Sequence, residues 1–377
     1  MDFALSEDQQ FFQESIRKYL NSLDQTAIAR SYIDEELMLT KKVWAGLSEL
    51  GYLGINVAEK YNGIGEETLS MVPVFEEIGR SLLPGPYAET LGLVVPLLQK
   101  YGTDEQKQQY LPDIVSGKRI FSLAFLESGI SFDADEVQLT PQKEENDYIL
   151  NGVKTLVPYV ELANSLLVAV RTSSDEVDGL TLLIIDIEEC PLEIKRLENF
   201  DEARSLSEIT FDNISVRNTQ RLGSEDRGWQ MLKEGFDHFN VTICAVMVGG
   251  MEKVVEMATE YSNTREQFDR KIGSFQAIKH KIVDMKRELE NARSLTYYAA
   301  WAIDKEAEDK TLAISSARSY ATESFIRGAG HNIHIHGGIG VTTELDSHLY
   351  LKRARAYENY VGTVSDYLAE IGRALNA

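Results

Sequence analysis

Arg265-Glu266-Gln267-Phe268, then Phe275-Gln276, then His334-Ile335-His336-Gly337-Gly338-Ile339-Gly340 decide how this chain is read. Arg265 offers a planar, permanently charged fork suited to a pyrophosphate. Phe268, three residues later, is expected on the same helical face, where it can lie beside an adenine or ribose. Gly337, Gly338 and Gly340 carry no side chains, so their backbone N–H groups can approach a dinucleotide closely. No strand leads into these glycines and their spacing is wrong for the fingerprint of parallel α/β nucleotide-binding sheets. Four of the six histidines, His331, His334, His336 and His348, fall within eighteen positions. That clustering raises a metal site as an alternative. No Cys or carboxylate stands at a zinc-like spacing to them, and the glycine loop already accounts for the segment.

Working outward, the periodicity changes twice. Residues 1 to about 117 read as helices. Ser6-x-x-Gln9 is a capping-box pattern, followed at helical spacing by Phe12, Ile16, Leu20 and Leu23. Val43, Leu47 and Leu50 repeat the pattern before Gly51 stops it. Thr103-x-x-Gln106 opens another helix, which Pro112 is expected to interrupt. From about 118 to 222 short β-branched runs appear: Leu166 to Val170, Leu180 to Ile185 and Ile209 to Phe211. Asn151-Gly152 predicts a hairpin turn there, because both residues tolerate positive φ. Beyond Gly223 the helical period returns, and Ile278, Ile282, Met285, Leu289, Ala292 and Leu295 keep one apolar face over about five turns. Helices that long pack as an antiparallel bundle, and wide apolar faces form oligomer interfaces.

The bulk numbers bound the function. At 377 residues and 42.4 kDa the chain predicts two or three domains. Lys and Arg number 38 against 60 Asp and Glu, a net charge of -22, which repels nucleic acid and anionic membranes over most of the surface. A polyanionic ligand then needs a local basic group, and Arg265 is the candidate. Cys190 and Cys244 lie far apart and read as buried apolar residues rather than a disulfide or metal pair. No run of about 18 apolar residues occurs, and Met1-Asp2-Phe3 opens with an acid where a signal peptide has a basic region. The expected location is the cytoplasm.

Helix, then sheet, then helix bundle is the domain order of the acyl-CoA dehydrogenase family, and the chain resembles it nearly end to end. Asp2-Phe3 and Ser6-Glu7-Asp8-Gln9-Gln10 resemble its opening. Tyr101 to Lys107 and Tyr110-Leu111-Pro112 resemble the end of its first domain, and Tyr148-Ile149-Leu150-Asn151-Gly152-x-Lys154 looks like the hairpin that leads to the flavin. The resemblance implies an α+β fold: an N-terminal α-helical domain over 1–117, a small β-barrel or sandwich domain over 118–222, and a C-terminal four-helix bundle over 223–377. It implies FAD as cofactor, an acyl-CoA thioester as substrate, a homo- or hetero-tetramer, and an electron-transfer flavoprotein as acceptor. It assigns cofactor binding to Arg265, Gln267, Phe268, Gln276, His334, Ile335, His336, Gly337, Gly338 and Thr363. In the family such elements hold the ADP half of FAD bound mainly to a neighbouring subunit, and the β domain holds the flavin half. Here His334 replaces the usual Gln.

The departures are as informative. The family reaction removes an α-proton with a Glu carboxylate while a β-hydride passes to flavin. Counting from Gly337-Gly338, the Tyr-Glu-Gly-Thr motif that carries this Glu becomes Tyr360-Val361-Gly362-Thr363. Some relatives place the Glu on an earlier helix, where this chain has Phe239. Glu358, one turn before Val361 if that segment is helical, is a substitute base on this count. The flavin-contacting loop keeps only Leu126-Glu127-Ser128, followed by a deletion before Ile130-Ser131-Phe132, and the Trp-Ile-Thr that faces the flavin becomes Leu156-Val157-Pro158. Losses fall where the chain would hold its own flavin and substrate, while the clamp that serves a neighbour is kept. That division suits a subunit of a hetero-oligomeric dehydrogenase whose partner supplies the base and flavin pocket. A self-sufficient homotetramer with Glu358 as base, an oxidase or monooxygenase, and a binding protein without flavin are the alternatives.

Overall fold

Capping chemistry sets the first helix. In the computed structural model, Ser6 Oγ accepts the Gln9 amide at 3.2 Å while Gln9 Oε1 accepts the Ser6 amide at 3.0 Å, and α1 runs over Glu7–Ser22. The structure describes residues 5–23, 25–145, 147–175 and 178–376; Met1, Asp2 and Phe3, part of the sequence argument, lie outside them. Next come α2 (Gln25–Ile33), α3 (Leu37–Glu49) and α4 (Thr68–Arg80). The chain leaves α3 through Gly51, whose φ of 84° only glycine adopts without strain. A π-helical stretch, Ala88–Val94, runs into α5 (Val95–Tyr101), and a second capping box at Thr103 and Gln106 starts α6 (Asp104–Val115). Pro112 does not interrupt α6. The proline removes one helical bond to the Gln108 carbonyl, but that residue is exposed to solvent, which can satisfy the freed carbonyl, and the helix continues.

The middle segment forms two four-stranded sheets from β1 (Phe121–Ala124), β2 (Gln142–Glu144), β3 (Asp147–Pro158), β4 (Ser165–Arg171), β5 (Leu180–Asp186), β6 (Glu193–Leu197), β7 (Leu206–Val216) and β8 (Arg221–Leu222). One sheet has the order β1-β4-β5-β8, with β1 parallel to β4; the other, β2-β3-β7-β6, is antiparallel throughout. Leu150, Val157, Leu166, Val168, Leu183, Ile185, Ile209 and Phe211 share one core between them, so the segment is a small sandwich. Asn151-Gly152 is not a hairpin turn. It is a bulge inside β3, where the register against β7 shifts between Leu150 and Gly152. The Asn151 side chain accepts the Asn213 amide across the bulge at 2.8 Å, and a Cβ at Gly152 would lie 2.5 Å from Leu139. The permissive backbone is real, but packing uses it for a bend.

Helix α7 (Gly228–Thr264) leads through the short strands β9 (Glu266–Gln267) and β10 (Arg270–Lys271) into α8 (Gln276–Asp304), α9 (Lys310–His336), α10 (Ser347–Tyr357) and α11 (Val364–Leu375). The chain divides into two compact units. One unit comprises the chain up to Glu36, Glu67–Pro84 and the chain from Asn240 onward; the other comprises Leu37–Glu66 and Gly85–Phe239, and contains both sheets. In the helical unit α9 packs against α8, α10 and α11. There α4 and α7 cross with their backbones touching: a Cβ on Gly79 would sit 1.9 Å from the Val246 carbonyl, and one on Gly249 1.8 Å from that of Glu76. This crossing buries Glu76 and Glu77. Arg293 meets Glu76 at 2.9 Å, Arg17 meets Glu77 at 2.5 Å, and both arginines reach Glu252 at 3.3 Å. Burial outweighs the Arg293 partner and pushes the Glu76 carboxyl up to about 7. Cys244 is buried in α7, whereas Cys190 is only half-buried. Among the described residues no helix is long and apolar enough to cross a membrane.

Candidate functional site

Helix α7 ends at Thr264, so Arg265 and Phe268 do not share a helical face. The Arg265 carbonyl accepts the Ile272 amide at 2.9 Å, and β9 pairs with β10 in a tight hairpin. Phe268 and Asp269, at φ 54° and 60°, are its central residues. Positive φ at both positions is a geometry that favours Asn-Gly, and Phe-Asp gives no sequence signal for it. The ring of Phe268 is 86% exposed and meets Phe275 edge-on at 6.2 Å, while the Arg270 guanidinium lies 3.9 Å over the Phe275 ring. The turn thus presents an aromatic ring to solvent on a braced support. Arg265 and Gln267 are exposed beside it, Gln276 is exposed as the first residue of α8, and Arg265 has no acidic partner among the described residues.

The second limb is the end of α9. His334 is exposed with Nδ1 3.3 Å from Lys281 Nζ on α8. Ile335 and His336 are buried, and His336 stacks on Tyr261 of α7 at 4.3 Å while its Nδ1 faces the Asn332 carbonyl at 2.8 Å. The Lys281 and Tyr261 contacts bring the α7–α8 hairpin and the glycine turn to one end of the helical unit. Gly337 ends α9 at φ 68°, and a Cβ on Gly337 or Gly338 would meet nothing within 4 Å. Seven of the expected residues are therefore open at this end: Arg265, Gln267, Phe268, Gln276, His334, Gly337 and Gly338. Ile335 and His336 support the turn from inside. Thr363 is engaged otherwise, as the N-cap of α11 in a capping box with Asp366. An unpartnered guanidinium, an exposed ring and an open glycine backbone fit the ADP half of FAD.

The residues expected near a flavin ring lie in the sheet-containing unit and are occupied with one another. Lys154 is buried, pairs with Glu127 at 2.7 Å and donates to the Phe125 carbonyl at 2.9 Å. Burial pulls its ammonium down to about 8, against the pull of Glu127. Glu127 also accepts the Leu139 amide at 2.9 Å. Leu156 and Tyr159 have φ of 52° and 51°, and the Pro158 carbonyl accepts the Ser122 hydroxyl at 2.5 Å. Phe132 stacks on Phe125 at 5.3 Å and meets Phe236 edge-on at 6.2 Å.

Where a base is expected, Val361 is 6% exposed at φ 57°, in the turn between α10 and α11, and its carbonyl accepts the Tyr367 hydroxyl. Phe239 is fully buried within α7. Helix α10 stops at Tyr357, so Glu358 is not one helical turn from Val361; it pairs with Arg355 at 2.9 Å. The sequence reading missed Arg318, a fully buried guanidinium on α9 that donates to the Tyr357 and Tyr360 carbonyls, both at 2.8 Å. Its signal is a lone cation in Ile314-Ser315-Ser316-Ala317-Arg318-Ser319-Tyr320-Ala321, on the face that also carries the small residues.

The order of elements along the chain is helices, then two four-stranded sheets, then helices again. The N-terminal domain of acyl-CoA dehydrogenase matches residues 6–118, and its C-terminal domain matches residues 226–375. The mitochondrial isovaleryl-CoA dehydrogenase of Pongo abelii is 30% identical, over 99% of this chain and 90% of its own. A solved FAD-dependent dehydrogenase superposes with a TM-score of 0.89 at 26% identity, covering 100% of both chains. A chain from a structure described as the electron transferring flavoprotein of Acidaminococcus fermentans superposes at 0.91 and 26% identity, covering 100% of this chain and 99% of that one. This chain belongs to the acyl-CoA dehydrogenase family, oxidoreductases that act on CH–CH bonds with FAD as cofactor.

Proposed function

We propose that the chain serves α,β-dehydrogenation of an acyl-CoA thioester as one subunit of an assembly. A second acyl-CoA dehydrogenase-like subunit supplies the catalytic carboxylate and the flavin pocket, and an electron-transfer flavoprotein accepts the electrons. The observation that supports this reading is Val361, a buried hydrocarbon side chain where the resemblance puts the catalytic carboxylate. Bound FAD supplies the hydride acceptor. The α-proton needs a carboxylate, and a positioned base contributes about 10²–10⁴-fold to such a step. Neither Val361 nor Phe239 can accept a proton, and Glu358 is turned to Arg355.

This chain's own task is to grip the nucleotide. Arg265 would meet the pyrophosphate and Phe268 the adenine or ribose, Gln267, Gln276 and His334 would donate or accept hydrogen bonds, and Gly337 and Gly338 would let the backbone approach. A self-sufficient homotetramer using Glu358 has the 2.9 Å Arg355 pair against it.

The test is to purify the chain alone and mix it anaerobically with FAD and acyl-CoA thioesters, while titrating it separately with ADP in a calorimeter. Expected are no bleaching of the flavin, and ADP binding that Arg265→Ala weakens about tenfold, the loss of one charge-assisted contact. Stoichiometric flavin that bleaches with a thioester in the absence of any second protein overturns the reading.

A further inference from the structure

A cavity of about 340 Å³ lies in the sheet-containing unit, and none of its lining residues belongs to the nucleotide clamp. Helix α6 contributes Glu105, Gln109 and Tyr110 to its wall, and the turn after β7 contributes Arg217, Thr219 and Gln220. The wall is built, not incidental. Gln106, buried on α6, donates from Nε2 to the carbonyls of Thr219 at 3.0 Å and Arg221 at 2.9 Å, which ties helix and turn together. Gln220 Oε1 accepts the Arg217 amide at 3.0 Å and holds the turn closed. The volume lies at the small end of the range of ligand pockets, about 300–1,000 Å³.

Tyr110 is 2% exposed, and its hydroxyl has no hydrogen-bond partner among the described residues. A buried hydroxyl left without a partner is expensive. Its ring is already engaged, with the Arg119 guanidinium 5.3 Å over it and Phe121 edge-on at 5.7 Å. Burial pushes the hydroxyl up to about 12, Asp186 and Glu189 push the same way, and Arg119 and Arg217 pull against it, so it stays a neutral donor at physiological pH. Arg119 and Asp186 satisfy each other at 2.7 Å. Of these four neighbours Arg217 alone lines the cavity, so hydroxyl and guanidinium converge on one space. Arg217 is loosely held there: Nη2 reaches Glu189 at 3.7 Å, in an exposed pair of the kind that contributes little. Bonds from its own amide and from the Thr103 hydroxyl hold the Glu105 carboxyl below the usual range, so it is ionised. Glu105 and Arg217 line the same cavity and do not pair with each other.

We propose that this cavity binds a small zwitterion of the amino-acid class, its carboxylate received by Arg217 and the Tyr110 hydroxyl and its ammonium by Glu105. A guanidinium and a phenol offer a carboxylate the donors it needs, and Glu105 offers an ammonium only acceptors. A phosphate or a dicarboxylate would bring its second charge against Glu105, and an alkylammonium would meet Arg217 with no anion of its own. Gln109 and Thr219 can both donate and accept, so they serve either end. The site does not depend on where the flavin is held or on which subunit supplies the base.

The experiment titrates the purified chain in a calorimeter with glycine, β-alanine and 4-aminobutanoate, which set the two charges at increasing distance. Propanoate, propylammonium and glycerol are the controls. At least one zwitterion is expected to bind at one site per chain, about tenfold or more tightly than every control, as one further charge-assisted contact gives. Tyr110→Phe and Arg217→Gln should each weaken that binding about tenfold, and Glu105→Gln should weaken the zwitterion but not propanoate. Tyr110→Phe removes a hydroxyl that has no partner, so its urea midpoint without ligand should equal or exceed that of wild type. A cavity that holds only water gives no saturable heat with any zwitterion, and that result overturns the proposal. So does a control that binds as tightly as the zwitterions, or zwitterion binding left unchanged by Tyr110→Phe. A lowered midpoint for Tyr110→Phe gives the hydroxyl a partner within the folded protein and overturns it as well.

Discussion

Val361 holds a β-branched side chain at φ 57°, a conformation that costs an ordinary residue about 1–2 kcal/mol. The turn pays this because its carbonyls are held from both sides, by Arg318 and by Tyr367, and because Gly362 at φ 105° releases the chain into α11. The next residue, Thr363, shows how one side chain supports two readings. In sequence it continues the family motif and looks like a cofactor contact. In the structure its hydroxyl accepts the Asp366 amide at 3.3 Å while Asp366 Oδ2 accepts the Thr363 amide at 2.8 Å. Thr363→Ala removes this cap and is expected to cost about 1 kcal/mol of stability. Calorimetric ADP affinity should stay unchanged. A loss of ADP binding comparable to that of Arg265→Ala, without a lower thermal midpoint, would return Thr363 to the nucleotide site.

Among the elements, α4 carries a pH dependence in its buried Glu76. Glu76 has a folded value of about 7 against 4.5 unfolded, so the folded state binds the extra proton between those limits. Stability therefore falls as pH rises from 4.5 to 7, by up to on the order of 3 kcal/mol. Glu76→Gln mimics the protonated acid and should flatten this slope relative to wild type. Urea midpoints at pH 5, 6, 7 and 8 check it, and parallel slopes for the two proteins would refute the assignment. None of this was legible in sequence, because the glycines that let α4 and α7 touch, Gly79 and Gly249, lie on segments 170 positions apart. What could be read was local: capping boxes at Ser6 and Thr103, the stop at Gly51, the β-branched strands. Misreadings came where tertiary packing chose among local options. Asn151-Gly152 permits a turn or a bulge, and Leu139 and Asn213 select the bulge. Arg265 and Phe268 are three apart in a helix or a hairpin, and only the pairing of β9 with β10 decides. The exposure of Arg265, Phe268, Gly337 and Gly338 agrees with residues left to a ligand, whereas Arg318 gave no sequence signal of its partners, the Tyr357 and Tyr360 carbonyls and the Asn240 and Thr322 side chains.

At the scale of the whole molecule, a net charge of -22 opposes any phosphate-bearing ligand, while the exposed Arg265, on the proposed reading, would attract one. The two effects have different ranges. Repulsion from charges spread over the surface acts over tens of ångströms at low salt, because the Debye length is about 30 Å at 0.01 M and about 10 Å at 0.1 M. The Arg265 contact acts over a few ångströms and is lost only when the screening length approaches that distance, about 3 Å at 1 M. Salt should first help and then hurt. The expected ADP affinity of the purified chain rises between 0.01 M and about 0.15 M salt, passes through a maximum and falls toward 1 M. With Arg265→Ala the falling limb should be lost, leaving a shallow rise, because only the repulsion remains to be screened. Calorimetric titration of both proteins across that range is the check. A wild-type affinity that falls steadily from the lowest salt would mean that the open end is governed by its local cations alone and that the acidic surface plays no part in what reaches it.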